Sequence, residues 1–388
     1  MQIGLTTFGS DGGKSGISRY LISLLREFAH IAEMPALDIL TYQHERQIFI
    51  PPQAPFTVLD IATVWRNPIM NILWHQTVLP TLCRQRKYDV LFLPAANRRV
   101  SFQAPCPTVG TVHDFSSIHV KGKYDPARMF YITRVLPMLV NRLSHVLTVS
   151  ESSKRDIVEF AGVAPERVTV TPLAADASRY TPDDPEEALH WMQAKYGFTG
   201  PYILYIARLE HPGKNHVRLI QAFELLKQRD HIPHKLILAG SDWDRADEIH
   251  AAAVKTTCTD EIIFTGFVTE ADLPQMYRGA ECFVFPSLYE GFGLPVLEAM
   301  CCGAPVACAN VSSIPEVAGE AAVLFDPYDI DAMAAAISSL ISDATKRARY
   351  RQLGIARGCQ FSWQATAERT LRVMQSVAGE GGHGQSCT

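Results

Sequence analysis

Between Cys282 and Cys302 the chain changes character twice, and the order of those changes restricts what it can fold into. Cys282-Phe283-Val284-Phe285-Pro286 is an apolar run of buried-strand length. It breaks at Ser287-Leu288-Tyr289-Glu290-Gly291-Phe292-Gly293-Leu294 and resumes as a helix at Pro295. Proline in a first helical turn forfeits no hydrogen bond, because that N–H would be unpaired anyway. Strand, glycine-broken loop and helix N-terminus together expose backbone N–H groups and the positive end of a helix dipole, a setting for an anion or a sugar hydroxyl. Glu290 falls in the loop and Glu298 in the second helical turn, so both carboxylates can border one cavity at the strand's carboxyl end. The dipole alone favours acids there, which is the plain structural alternative for Glu298.

The same rhythm runs through the whole chain. In the second half, apolar strands are expected at Tyr202–Ala207, Lys235–Ala239, Ile262–Thr265, Cys282–Phe285, Pro305–Ala309 and Ala322–Phe325. In the first half they are expected at Ile3–Thr7, Leu37–Tyr42, Val90–Leu93, Thr108–Val112 and Val146–Val149. Strands alternating with helical stretches mean parallel sheets covered on both faces. At 388 residues the chain exceeds one ordinary core. Two domains are therefore expected, 1–173 and 174–361, followed by a helical stretch over about 362–378. A polar linker is placed around 173–200, and the glycine-rich tail 379–388 is expected to be disordered.

Composition narrows the class. Apolar residues make up 47% and charged residues 20%, as in a globular protein. No run long enough for a membrane span occurs, and Met1-Gln2-Ile3-Gly4-Leu5 leads into a strand without a signal sequence. The nine cysteines are scattered, which points to reduced thiols in the cytoplasm and no zinc site. Residues 1–172 carry 18 Lys+Arg against 13 Asp+Glu, and the remainder 18 against 27. The basic half, with a helix-like stretch over Trp65–Leu82 whose Trp65, Ile69, Ile72, Leu73 and Trp74 supply apolar surface, suits an anionic membrane surface. The same stripe packing inward, or an ordinary solvated face, is the alternative. No nucleic-acid partner is expected.

Several loops carry chemistry-bearing residues. Gly9-Ser10-Asp11-Gly12-Gly13-Lys14-Ser15-Gly16 follows the first strand and precedes an amphipathic helix, but matches neither the dinucleotide fingerprint nor a Walker loop. His113-Asp114 ends the Thr108–Val112 strand, where a parallel sheet faces its ligand crevice. Arg208 and Lys214 bracket Leu209-Glu210-His211-Pro212-Gly213, two cations on one loop suited to a diphosphate.

These strings together resemble the retaining GT-B glycosyltransferases of family 4, over nearly the entire chain. The resemblance implies an α/β fold of two Rossmann-like doubly wound domains facing a cleft, with the last helix crossing back to the first domain. It implies that Glu290 orients the transferred sugar, that His113 faces that sugar, and that Arg208 and Lys214 hold the diphosphate in place of a metal. It implies that Glu298 accepts from the ribose, that Gly266-Phe267-Val268 contacts the base, and that Phe292, Gly293 and Leu294 with Gly16 line the donor. Lys14, Ser15 and Asp114 are candidates on the acceptor side. Neither glutamate reads as a nucleophile; the family favours front-face transfer.

The Arg208–His216 segment looks most like exopolysaccharide mannosyltransferases, so GDP-mannose leads as donor. The implied acceptor is a polyprenyl-diphosphate-linked oligosaccharide at the cytoplasmic face of a bacterial inner membrane. No metal is expected. UDP-glucose and other UDP-sugars remain open, since no rule derived from these residues reads the base. A non-catalytic sugar-nucleotide-binding subunit is the reading from another class, against which Glu290, His113 and Lys214 are all present.

Overall fold

The computed structural model describes residues 1–383 apart from 14, 103 and 120–128. The described residues fall into two compact units, one from 1–118, 129–173 and 362–383, the other from 174–361 together with His119.

The first unit is a seven-stranded sheet, ordered β3-β2-β1-β4-β5-β6-β7. Its strands are β1 Gln2–Thr6, β2 Ala36–Tyr42, β3 Thr57–Ile61, β4 Val90–Leu93, β5 Thr108–Thr111, β6 His145–Thr148 and β7 Val168–Val170. All its pairs are parallel. Helix α1, Gly16–Phe28, buries Tyr20, Leu21, Leu24, Leu25 and Phe28 along one stripe, and a short α2, Arg46–Phe49, follows β2. The C-terminal helix, Trp363–His383, packs in this same unit, with Trp363 6.2 Å from the Tyr20 ring.

The second unit is a six-stranded sheet, ordered β10-β9-β8-β11-β12-β13 and again wholly parallel. These strands are β8 Tyr202–Ile206, β9 Lys235–Ala239, β10 Ile262–Gly266, β11 Cys282–Phe285, β12 Val306–Ala309 and β13 Ala322–Phe325. In each sheet the direction of winding reverses once, at β1/β4 and at β8/β11. Loops leaving the carboxyl ends of those strands splay apart, and ligands of open α/β sheets bind in the crevice that opens there.

Four expectations need correction. Thr57–Ile61 is an edge strand that the sequence reading left out; it follows a Pro51–Pro55 stretch and is only half-buried, so its alternation is weak. The supposed linker contains a helix, Pro185–Tyr196, whose cap Asp184 accepts from the N–H groups of Glu186 and Glu187 at 2.8 and 3.3 Å. An acidic, proline-bearing cap has the composition of a linker. The helix placed over Trp65–Leu82 is a short 3-10 turn, Thr63–Arg66, and then α3, Pro68–Arg86, started by the Asn67 side chain. The last helix continues through Gly379 to His383; residues 384–388 lie outside the described set.

The apolar stripe on α3 divides. Trp74 is fully buried in the first unit's core, whereas Ile69, Ile72 and Leu73 are 77%, 49% and 47% exposed. All eight described cysteines are free thiols.

Candidate active site

In the second unit, two of the loops singled out in the sequence leave the β8/β11 switch point. The loop after β8 carries Arg208 and Lys214, and the loop after β11 carries Glu290. The Lys214 ammonium meets Glu290 Oε1 at 2.7 Å, with both side chains about four-fifths buried. The frame around this pair is tight. Tyr205 donates its hydroxyl to the Lys214 carbonyl at 2.8 Å. Asn215, in the left-handed region at φ 61, donates through Nδ2 to the carbonyls of Pro286 and Pro327 at 3.0 and 2.8 Å. The Glu290 N–H donates to Ser312 Oγ at 3.0 Å, and Ser313 Oγ donates to the Glu290 carbonyl at 2.9 Å. Both ends of the ion pair are therefore held through backbone as well as side chain.

The helix Leu294–Cys301 starts from Gly293, whose φ of 98 no other residue adopts cheaply. Phe292 is buried with its ring 5.8 Å from Phe361. Glu298 is fully buried and accepts from the Tyr277 hydroxyl at 2.9 Å. Arg208 lies over the Trp243 ring at 4.6 Å from its centroid. Gly266, at φ 68, has open space where a side chain would be, and Phe267 is 78% exposed.

In the first unit, His113 lies just past β5, buried, with Nε2 3.0 Å from the Pro94 carbonyl. A carbonyl only accepts, so Nε2 carries the proton. Burial pulls the His113 pKa down to about 4, so the ring is neutral at pH 7. Asp114 accepts from the Ser116 N–H at 2.9 Å, closing a turn. The Ser15 hydroxyl caps α1, accepting from the Ser18 N–H and donating to the Ser10 carbonyl at 3.2 Å. Gly16 opens α1 with clear space in front of it. Lys14 lies outside the described residues.

Tyr205, Tyr277, Ser312 and Ser313 escaped the sequence reading. Serines after a strand and before a proline-started helix were the one available signal. Among the described residues no three His, Cys, Asp or Glu side chains cluster as metal ligands.

His113, His75 and His216 are all buried, with pKa values lowered to about 4, about 4 and about 3 by desolvation. Each has its ordinary value, 6.5, in the unfolded chain. The unfolded state thus binds more protons below that pH, and stability falls on acidification. The contribution is whole above pH 6.5 and drains away toward pH 4, up to about 3 kcal/mol per ring. Urea unfolding from pH 7 to pH 4 should show this slope, and His113→Asn should flatten it. An unchanged slope in that variant would count against a neutral buried ring.

Comparison with known proteins identifies the family. Residues 14–179 match the family model described as Glycosyltransferase Family 4, and residues 193–357 the one described as Glycosyl transferases group 1. The O-antigen chain mannosyltransferase B of Escherichia coli is 36% identical over 263 residues, 68% of each chain. The serotype-specific mannosyltransferase WbdA of E. coli is 32% identical over 70% of this chain, which spans 34% of that longer protein. The fold matches that of Anabaena HepE, solved with UDP and glucose, at a TM-score of 0.75 and 20% identity, covering 97% of this chain and 100% of that one. Two Rossmann-like parallel-sheet domains of this kind are the GT-B fold, and the family match with the mannosyltransferase relatives makes the chain a nucleotide-sugar-dependent glycosyltransferase. This chain belongs to the group 1, family 4 glycosyltransferases.

Proposed function

We propose that the enzyme is a retaining mannosyltransferase, taking mannose from GDP-mannose to a polyprenyl-diphosphate-linked oligosaccharide in bacterial polysaccharide assembly. The first unit holds the acceptor and the second the donor. The observation that carries this reading is the Lys214–Glu290 pair at the β8/β11 switch point. A diphosphate arriving there outcompetes one carboxylate for the ammonium, because it brings more negative charge. Glu290, released, takes hydroxyls of the sugar and aims its anomeric carbon.

The chemistry asked of the protein is electrostatic. As the sugar–phosphate bond breaks, charge builds on the leaving diphosphate, and Lys214 with Arg208 stabilises it through charge-assisted hydrogen bonds of about 1.5–3 kcal/mol each. Backbone N–H groups at Gly293 and Leu294 add to that field. The acceptor oxygen bonds to the anomeric carbon on the face the phosphate leaves, and its proton passes to the leaving phosphate oxygen. Glu290 is no nucleophile here, since its task is to hold hydroxyls. His113, whose Nε2–H is spent on Pro94, offers Nδ1 as an acceptor to the sugar. Gly266, Phe267 and Val268 serve the base and Glu298 the ribose.

The mannosyl assignment leans on the named relatives. Turnover across a panel of nucleotide sugars with EDTA present tests it. Selective use of GDP-mannose supports the whole reading; preference for UDP-glucose keeps the mechanism and discards the donor; use of none overturns it.

A lipid-linked acceptor brings the enzyme to the cytoplasmic face of the inner membrane. No described helix is long and apolar enough to cross a membrane, so docking would be peripheral. The exposed Ile69, Ile72 and Leu73 form one face of α3. Phe102, 42% exposed, lies beside it, its N–H donating to Gln76 Oε1 at 2.7 Å. Apolar side chains beside a basic segment suit an anionic bilayer. Vesicles containing phosphatidylglycerol should sediment the protein at low salt and release it at high salt. The triple change to serine at 69, 72 and 73 should weaken binding by about tenfold or more. Protein that stays in solution at low salt removes the membrane from the proposal.

A further inference from the structure

The loop after β9 presents a tryptophan to solvent. Trp243 is 58% exposed, whereas an indole is ordinarily buried over most of its surface. What lies on its face is Arg208, whose guanidinium carbon stands 4.6 Å from the ring centroid, inside the range of a cation–π contact. The two are set opposite each other by main chain. The Leu209 N–H donates to the Ser241 carbonyl at 3.0 Å, the Trp243 N–H to the Leu209 carbonyl at 3.1 Å, and the His211 N–H to the Asp244 carbonyl at 3.0 Å. This short ladder carries the parallel β8–β9 pairing past the ends of the strands, so neither residue depends on its own side chain to find the other. The acids nearby are turned elsewhere: Asp242 meets His250 at 3.0 Å, and Glu248 meets Arg245 at 2.6 Å. Among the described residues no carboxylate pairs with the Arg208 guanidinium.

We propose that Trp243 is a positioning residue of the donor site: its ring face holds the Arg208 guanidinium in place, un-neutralised, for the diphosphate of the nucleotide sugar. The inference rests on the reading that Arg208 receives that diphosphate. Lys214 shows the contrast, since its charge is met by Glu290 at 2.7 Å and must be won from that carboxylate. A ring attracts a cation through its quadrupole and carries no net charge. It therefore leaves the guanidinium its full attraction for a phosphate, and takes none of its N–H donors as a carboxylate would. Arginine is also long and rich in rotamers, and one already held over a fixed ring loses less freedom when it binds. The exposure of Trp243 follows from this task. The cation it holds has to stay open to the ligand, and Arg208 is exposed as well.

The probe is a nucleoside diphosphate alone, GDP or UDP, whichever the full-length enzyme binds more tightly, titrated calorimetrically. Trp243→Leu should weaken its binding about fivefold, the strength of a partly exposed cation–π contact. Trp243→Phe should recover most of that affinity, because it keeps an aromatic face. In the Arg208→Ala background, Trp243→Leu should cost nothing further, since the ring acts only through the arginine. Both Trp243 variants should melt within about two degrees of wild type, because most of the ring already faces water. Three results overturn the role: affinity within about twofold of wild type in Trp243→Leu, the same loss when Arg208 is absent, or a loss that Trp243→Phe does not restore. If Arg208→Ala itself binds the diphosphate as wild type does, or wild type binds neither nucleotide, the diphosphate reading of Arg208 falls instead, and this role with it.

Discussion

Glu290→Ala should lower kcat by about 10²–10³ and also lower the melting temperature, and Lys214→Ala should do the same. The two side chains meet at 2.7 Å and are both largely buried, so removing one leaves the other as an uncompensated charge. For Lys214→Ala that residue is Glu290, still tied through its backbone to Ser312 and Ser313. The loop therefore stays in place in the folded protein, and the loss of rate is one of catalysis. The double variant should cost little more than either single one, because the two act on one event, the departure of the diphosphate. A rise in donor KM with kcat unchanged would show that the pair only binds, and would remove its proposed part in the transition state.

The second large effect is structural. Gly240→Ala should destabilise the second unit by on the order of 3 kcal/mol. An added Cβ would stand 2.0 Å from the Ala207 carbonyl oxygen and 2.7 Å from its carbon. Both contacts are backbone, so no side chain can swing aside. The neighbouring strands are also stitched together at this level, Ala207 N–H to the Ala239 carbonyl and Gly240 N–H to the Gly266 carbonyl, each 3.0 Å. Relief can come only from parting β8 from β9, which carries Arg208 away from its place. A melting temperature within about a degree of wild type would mean that the strand ends are looser than drawn. Gly16→Ala is the control, because that glycine has open space before it and opens a helix.

The architecture was legible because its signals are local. Periods of alternation, glycine breaks and proline-started helices are written in consecutive residues, and they announced doubly wound parallel sheets, while the GT-B kind came from the family resemblance of the loops. Where local signals imitate one another, the reading slipped. Asp184-Pro185 has the composition of a linker and is a helix cap. Thr57–Ile61, on the sheet's edge, lacks the continuous apolar run of an inner strand.

The catalytic candidates divide in the same way. Lys214 and Glu290 could be named from their loops, because a cation after one strand and an acid after another are visible one at a time. Their 2.7 Å contact depends on β8 and β11 being neighbours, a pairing between segments far apart in the chain that the strand order alone decides. Residue order set which groups each loop offers; the cost of burying a charge, and the company it finds, was settled only by the tertiary structure.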